Sequence, residues 1–218
     1  MVRGRLPSNG ANLAAVLHYL KTSTATDVNP GGVLTDIAAS LRPLVHGVRA
    51  IHVEPDPTER TFRIEVEQAD GARISARLLS EGTLRLIALF AVLFDDRFNG
   101  LLMMEEPENG IHPERLRGLL RTLRNACADP TAAAGETSAK QLLVNSHSPV
   151  VLAVLRDRDH EVFFVDMVSR RVGSANNPVR RTRVRPVWTK AQQPLSPPPE
   201  IATIAEVEKY LNSVTGDT

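Results

Sequence analysis

The sequence predicts an α/β fold, in which a mainly parallel sheet is flanked by helices and accompanied by a small antiparallel β region. The first observation is that helical patterns alternate with short apolar runs from residue 83 onwards. Such alternation indicates βα units around a buried, largely parallel sheet. The second observation is a pair of segments near residues 48–78 in which apolar and polar residues alternate, and this pattern predicts antiparallel strands.

Two helices are predicted ahead of the antiparallel region. Residues 12–21 place their leucines and Val16 on one helical face, with Ser8 or Asn9 as the cap. A polar stretch marked by Gly and Pro leads to a second helical pattern at 34–45. Pro43 disturbs that pattern because proline does not fit a helix interior.

A hairpin and a third strand make up the predicted antiparallel sheet. Residues 48–54 and 61–67 are the two hairpin strands, and the prolines and Asp of 55–60 mark the turn. Residues 72–78 predict a short strand that extends this sheet.

The second half of the chain supplies the predicted βα units. Three helices are expected at 83–95, 113–126 and 149–156, and three strands at 100–106, 141–147 and 161–167. The small-residue loop at 129–139 is expected to be mobile. Beyond residue 168 the chain becomes basic and then Pro-rich, before a short amphipathic helix at 201–211. We therefore expect a main domain over 1–168 and an extension over 169–218.

Charge and composition narrow the classes of partner. Lys plus Arg number 26 against 25 Asp plus Glu, a net charge of +1, so the chain as a whole has no electrostatic attraction for nucleic acid or an anionic membrane. The lone Cys127 permits no intrachain disulfide, and no apolar run approaches the roughly 20 residues that span a bilayer. We expect a cytoplasmic protein with no membrane partner.

The strongest chemical signal is the pair Glu105 and Glu106, at the end of an apolar strand and before Pro107. Side chains at the carboxyl ends of strands meet the ligand of an α/β sheet. Because adjacent strand residues point to opposite faces, one carboxylate could orient a magnesium-bound water while the other polarises an attacking water. Taken alone, the pair is as readily explained by solvated acids at a loop.

A second motif opens the helix at 83–95. Ser80, Glu81, Gly82 and Thr83 lie where free N–H groups and the helix dipole favour a bound phosphate. Taken alone, an ordinary helix cap at Ser80 is the better explanation.

A third motif is His147, which an apolar strand delivers together with Asn145 and Ser146 to the start of a helix. Such a histidine would stand at the carboxyl edge of the sheet. A lone histidine at a strand end is more often structural than catalytic.

The order and spacing of these motifs resemble the ABC ATPase superfamily, and within it the RecF/SMC-like and OLD-like group of bacterial AAA-type ATPase cores. The resemblance runs from about Asn12 to about Val168. By this resemblance, the signature motif, the Walker B strand, the D-loop and the histidine switch correspond to LSEGT (79–83), LLMMEE (101–106), ENGIHP (108–113) and NSHSP (145–149).

The resemblance implies ATP and Mg²⁺ as ligands and ATP hydrolysis as the activity. Glu106 would be the general base, and His147 would contact the γ-phosphate. Glu105 would hold Mg²⁺, at a position where many ABC proteins have Asp. The residues expected near nucleotide in the signature motif and the D-loop are Ser80, Glu81, Gly82, Thr83, Asn109 and His112.

A complete ABC domain also requires a GxxxxGK[ST] loop, whose N–H groups cradle the phosphates. None of the four lysines of the sequence lies in this pattern. The family's loop precedes the helix that residues 12–20 resemble, so we expect the chain to start after it. We therefore expect little ATPase activity from the isolated chain, and a homodimer or a heterodimer with a subunit that carries the P-loop.

The segment Arg170–Lys190 contains six arginines near Trp188. Basic residues beside an aromatic ring can bind nucleic-acid phosphates and stack on a base, although a solvated charged strand is the favoured explanation.

Three functions remain open at the level of sequence. The first is an ATP-binding and ATP-hydrolysing module, in DNA repair or phage defence. The second is a catalytically incomplete partner that lends its signature motif to a full-length ATPase. The third and most remote is a metal-dependent nuclease that uses the acids of 105–108.

Overall fold

A computed structural model describes residues 6–127, 140–155, 161–171, 178–188 and 201–215 of the chain. Packing divides the chain into two compact units, Met1–Asn145 and Ser146–Thr218. The division into a motif-bearing domain and an extension at residue 168 rests on sequence motifs and stays a prediction. The loop at 129–139, the Pro-rich segment and Lys190 lie outside the described residues.

The four helices predicted for the first unit are confirmed. They are α1 (Leu13–Thr24), α2 (Leu34–Leu41), α3 (Glu81–Leu93) and α4 (Pro113–Asn125). The predicted cap of α1 is wrong, because Asn12 occupies the cap position and its side chain makes no capping bond. Ser8 and Asn9 precede it in a turn, where Gly10 adopts a φ of +68°. α2 ends before Pro43, as the proline requires.

The predicted antiparallel sheet is also confirmed. Strands β1 (Val48–Asp56), β2 (Thr61–Gln68) and β3 (Arg73–Ser75) pair in that order, each antiparallel to the next. The third strand is shorter than predicted because the chain enters a 3-10 turn at Ala76–Leu78, where the Ser75 hydroxyl accepts a bond from the Arg77 N–H.

Two parallel strands, β4 (Gly100–Glu105) and β5 (Lys140–Asn145), place the candidate acids. Their register pairs Gly100 with Lys140 and Glu105 with Asn145, so both strands end at the same edge. The Lys140 side chain is buried and its ammonium donates to the carbonyl of Leu93, at the C-terminal end of α3. That bond joins the start of β5 to the C-terminal end of α3, the helix that Ser80 caps.

The second unit contains α5 (Pro149–Val154), β6 (Phe163–Arg171), β7 (Pro178–Trp188), β8 (Ala202–Thr203) and α6 (Ile204–Thr215). The terminal helix is confirmed. The placement of 161–167 in a parallel sheet is wrong: β6 pairs antiparallel with β7, with Val165 opposite Val184. The arginine-rich segment forms β7 and pairs with β6. This pairing could not be predicted, because a strand pattern does not indicate which other strand it pairs with. The α/β class holds, with both parallel and antiparallel sheets.

A buried arginine organises the second unit. Arg185 is 4% exposed, and its guanidinium donates to Asp166, to Glu206 and to the carbonyl of Ile201. Arg183 also donates to Asp166, and this bond lowers the pKa of the Asp166 carboxyl from its ordinary value. The network ties β6 and β7 to the start of α6.

Helices that could cross a bilayer would have to be both long and apolar, and the described residues contain none.

Candidate functional site

The chain turns sharply where β4 ends. Glu106 has a φ of +46°, in the left-handed region that side chains other than glycine seldom adopt. Its N–H donates to the carbonyl of Asn145, 2.8 Å away, so β5 fixes the turn. Left-handed backbone at such a residue costs about 1–2 kcal/mol, and strain of this kind concentrates at functional sites.

The Glu106 carboxylate is held by the loop that follows it. The side-chain amide of Asn109 donates to Glu106 Oε2 at 2.6 Å, and the Asn109 N–H donates to the Glu106 carbonyl at 3.0 Å. Glu106 is half-buried, whereas Asn109 is exposed. Two predicted site residues, Glu106 and Asn109, are therefore in direct contact, and the Asn109 amide holds the Glu106 carboxylate in position.

Glu105 lies on the exposed side of β4. Its carbonyl accepts a bond from the Arg85 guanidinium, which comes from α3. The two neighbouring carboxylates thus differ in environment: Glu106 is held by Asn109 and half-buried, and Glu105 is exposed. The prediction that both glutamates lie within the strand is wrong, because β4 ends at Glu105 and Glu106 begins the left-handed turn.

The residues predicted to form a signature motif, Ser80 to Thr83, lie at the N-terminus of α3. Ser80 Oγ accepts a bond from the Thr83 N–H at 3.2 Å and lies 2.9 Å from Thr83 Oγ1. Glu81 occupies the exposed first turn of the helix. This is the ordinary capping arrangement of a helix N-terminus.

Gly82 packs directly on the loop after Glu106. A Cβ at Gly82 would lie 3.2 Å from the carbonyl oxygen of Gly110, which is tighter than side chains normally allow. Gly110 itself has a φ of +76°, which glycine adopts without strain. The start of α3 and the loop that holds Glu106 are therefore neighbours within one chain.

His112 caps α4. Its Nδ1 accepts a bond from the Glu114 N–H at 3.4 Å, and Pro113 takes the first helical position. The His112 imidazole is exposed while it caps α4. Its predicted position at an interface between subunits stays a prediction.

His147 belongs to the second unit, two residues after β5 ends. It is exposed and precedes Ser148, whose hydroxyl caps α5 by accepting from the Val150 N–H. The structure describes each unit by itself, and the predicted contact of His147 with a γ-phosphate stays a prediction.

The basic segment is only partly available for binding. Arg183 is bonded to Asp166 and Arg185 is buried, whereas Arg180 and Arg181 are exposed. Residues 172–177, 189 and 190 lie outside the described residues.

No group of three or more His, Cys, Asp or Glu side chains that could hold a metal occurs in the described part of the chain. A cavity of about 440 Å³ lies between α1, α2 and β1, among residues that include Lys21, Arg42 and Arg49. It contains none of the predicted site residues.

The roles of three residues at this edge were not predicted. Arg85 was missed because an exposed arginine on a helix is usually solvated. Asn145 was placed at the end of its strand, but its contact with Glu106 was missed because it is made by a main-chain carbonyl. Gly110 could have been noticed from its place in the loop between Glu106 and α4, since a glycine there permits a left-handed turn.

A family model described as "AAA domain, putative AbiEii toxin, Type IV TA system" matches residues 31–153. No curated protein is similar enough to count as a relative. Two similar solved structures are of SMC proteins. One is the Smc head domain with a coiled coil and joint from Pyrococcus yayanosii, at 13% identity and a TM-score of 0.48, covering 84% of this chain and 29% of that one. This chain thus spans less than a third of that SMC chain.

The other is a chain described under "Structural biochemistry of ATP-driven dimerization and DNA stimulated activation of SMC ATPases". It matches at 12% identity and a TM-score of 0.50, and the match covers 92% of this chain and 97% of that chain. At this identity the similarity concerns the fold.

Proposed function

Because the chain belongs to the AbiEii-type AAA domain family and has the core of an ABC/SMC-like AAA ATPase, we propose that it supplies the signature motif and the hydrolytic carboxylates of a composite ATPase site. Its general function is that of an ATPase domain. The phosphate-binding loop of the site comes from another polypeptide segment, since no GxxxxGK[ST] sequence occurs in these 218 residues.

The observation that carries this proposal is the left-handed turn at Glu106, where hydrogen bonds hold both the main chain and the carboxylate. Asn145 fixes its main chain and Asn109 its carboxylate. A general base is effective when its oxygen is held within reach of the proton it accepts. We propose that Glu106 accepts a proton from the water that attacks the γ-phosphate.

Glu105 suits a role toward Mg²⁺. A single exposed carboxylate is what a site needs when substrate phosphates and waters supply the other oxygens, and no larger acidic cluster occurs among the described residues. When bound, Mg²⁺ would offset the negative charge of the β- and γ-phosphates. In this proposal Glu105 provides the protein oxygen.

The remaining predicted residues complete the proposal. Ser80 to Thr83 present helix N–H groups to a nucleotide held by an opposing subunit. His147 contacts the γ-phosphate that is attacked by the water from which Glu106 accepts a proton. Asn109 and His112 lie at the seam between subunits. The ATP-driven dimerization named for one SMC relative supports a dimer, either of this chain or with a P-loop-bearing subunit.

For the biological process we propose DNA repair or phage defence. The family description names a toxin–antitoxin system, and the description of one similar SMC structure names activation stimulated by DNA. Arg180 and Arg181 are exposed cations in the described part of this segment and are available for a nucleic acid. A fluorescence-polarisation titration in which DNA binds more weakly as salt increases would support that contact; the absence of binding at low salt would remove it.

The test of the proposed activity is phosphate release. The chain is tagged and purified alone after heterologous expression, and with its P-loop-bearing partner from the native host. We expect turnover from the complex only, and loss of turnover on Glu106→Gln. Glu114→Gln, at a side chain that is 89% exposed, is the matched control and should retain activity. Turnover by the isolated chain, or an active Glu106→Gln complex, would contradict the proposal.

A second candidate function is favoured by the absent phosphate-binding loop. The chain would then be a catalytically incomplete subunit that lends its signature motif to a full-length ATPase. In that case Gly82→Val in this chain abolishes turnover of the complex, and Glu106→Gln leaves turnover at no less than half.

A further inference from the structure

The cavity between α1, α2 and β1 has buried apolar side chains in its lining. Its volume is about 440 Å³, which lies in the range of pockets that bind small molecules. Leu34 and Ala38 of α2 and Ile51 of β1 line it, and each of them is at most 6% exposed. A ligand in this cavity would therefore bury apolar surface of its own, which stabilises the bound state.

Three cations line the same cavity, which we call the basic cavity. They are Lys21 in the last turn of α1, Arg42 directly after α2, and Arg49 in β1. His52 is also in the lining, and its Nε2 lies 2.8 Å from Oε2 of Glu67. None of the lining residues is Asp or Glu, and all of them belong to the described part of the first unit. A cleft lined by charge of one sign raises the local concentration of oppositely charged ligands, so the basic cavity favours anions.

Neighbouring carboxylates leave two of the three cations available. Glu67 pairs with Arg49 at 3.2 Å. The Arg42 guanidinium donates to the main-chain carbonyl of Arg49, and Lys21 forms no ion pair with any side chain that the structure describes. The acid of α2, Asp36, is exposed and is two positions from each buried lining residue of that helix. Residues two positions apart do not share a helix face, so Lys21 and Arg42 remain available to a ligand.

The charge of the basic cavity favours a phosphate group over a carboxylate. A phosphate monoester carries a charge of about −1.5 to −2 near pH 7, whereas a carboxylate carries a single negative charge. The guanidinium of arginine also matches phosphate oxygens with two parallel N–H groups. The two available cations therefore balance the charge of one phosphate monoester.

We propose that the basic cavity binds a small organic phosphate monoester. Lys21 and Arg42 contact the phosphate, and the organic part packs on Leu34, Ala38 and Ile51. None of the residues proposed to contact ATP or Mg²⁺ lines this cavity. It is therefore a second ligand site, and the inference does not depend on the proposed function.

Titration of the isotope-labelled full chain, followed by NMR, tests this site. Phenyl phosphate is the probe, because it joins a phosphate monoester to a compact apolar ring. We expect saturable shifts of the main-chain amide signals of Lys21, Thr35 and Ala50, which line the cavity. Benzoate has the ring but less negative charge, so at the same ionic strength it should bind about tenfold more weakly.

Substitution of the two available cations measures their contributions. Lys21→Gln and Arg42→Gln should each raise the Kd of phenyl phosphate about tenfold, the order expected for loss of one charge-assisted hydrogen bond. Arg117→Gln is the matched control and should leave the Kd unchanged, because Arg117 is exposed on α4 and does not line the cavity. Lys21→Gln removes no ion pair within the described residues. Its melting temperature should therefore equal that of the unmodified chain, which separates loss of binding from loss of folding.

Several results would overturn the proposal. Absence of saturable shifts at about 10 mM phenyl phosphate would exclude a site with a Kd of about 1 mM or tighter. Equal affinity for benzoate, or equal weakening by Arg117→Gln, would show attraction to surface charge in place of a phosphate site. Shifts confined to residues 80–83 would assign the phosphate to the start of α3. None of these results bears on the hydrolytic role of Glu106, so the two proposals fail separately.

Discussion

Replacement of Asn109 by Ala should slow hydrolysis by removing the bond that holds the Glu106 carboxylate. The amide donates to Glu106 Oε2 at 2.6 Å. A hydrogen bond to a charged group contributes about 1.5–3 kcal/mol net, and the exposure of Asn109 favours the lower end of this range. A loss of about 1.4 kcal/mol of transition-state stabilisation lowers kcat about tenfold.

The assay is steady-state phosphate release by the complex over a range of ATP concentrations. Because Asn109 acts through Glu106 in this account, kcat should fall while KM stays within about twofold. Asn125→Ala, at an exposed position at the end of α4, is the matched control. An increase in KM with an unchanged kcat would show that Asn109 contacts the nucleotide directly, and would refute the positioning role.

Two further predictions concern stability. Lys140→Met should lower the free energy of unfolding by about 2 kcal/mol, because the buried hydrogen bond from the ammonium to the Leu93 carbonyl is lost. The melting temperature measured by circular dichroism should fall by about 4–8 °C. A fall of under 1 °C would contradict this prediction. Asp166→Asn should destabilise at pH 7, because the bond from Arg183 lowers the pKa of Asp166 in the folded state. That stabilisation is present above the pKa that Asp166 has in the unfolded chain, and it is lost as the pH falls through the pKa of Asp166 in the folded state. The penalty measured by urea unfolding should therefore shrink below about pH 4, and a constant penalty down to pH 2 would exclude the ion pair as its cause.

Much of the first unit could be predicted from local patterns. The apolar stripes of α1 to α4 and the alternation in β2 each depend on residues a few positions apart, so periodicity is sufficient. The cap at Ser80 follows from residue type and position. The cap at His112 was overlooked, although a polar residue before a proline is a common start for a helix.

Long-range pairing could not be predicted in the same way. The segment 161–167 has the composition of a buried parallel strand, but its partner is the arginine-rich β7. Arg185 is buried only because Asp166 and Glu206 meet it from other elements. Charge along one strand indicates solvent exposure unless the opposite charges are known to face it.

The geometry of the candidate site was predictable in part. The motif order placed Glu105 and Glu106 at a strand end, and the parallel orientation of β4 and β5 followed from the α/β pattern. The left-handed backbone of Glu106 was not predictable, because glutamate seldom adopts it and the bond that fixes it comes from Asn145, 39 positions along the sequence.

Single-turnover hydrolysis by the complex tests the central claim most directly. Radiolabelled ATP is mixed with excess complex, and bound ATP and ADP are separated after quenching. With Glu106→Gln we expect ATP to bind and to be cleaved at least about a hundredfold more slowly, the order expected for loss of a general base. Cleavage at the unmodified rate would contradict the assignment of the hydrolytic role to Glu106.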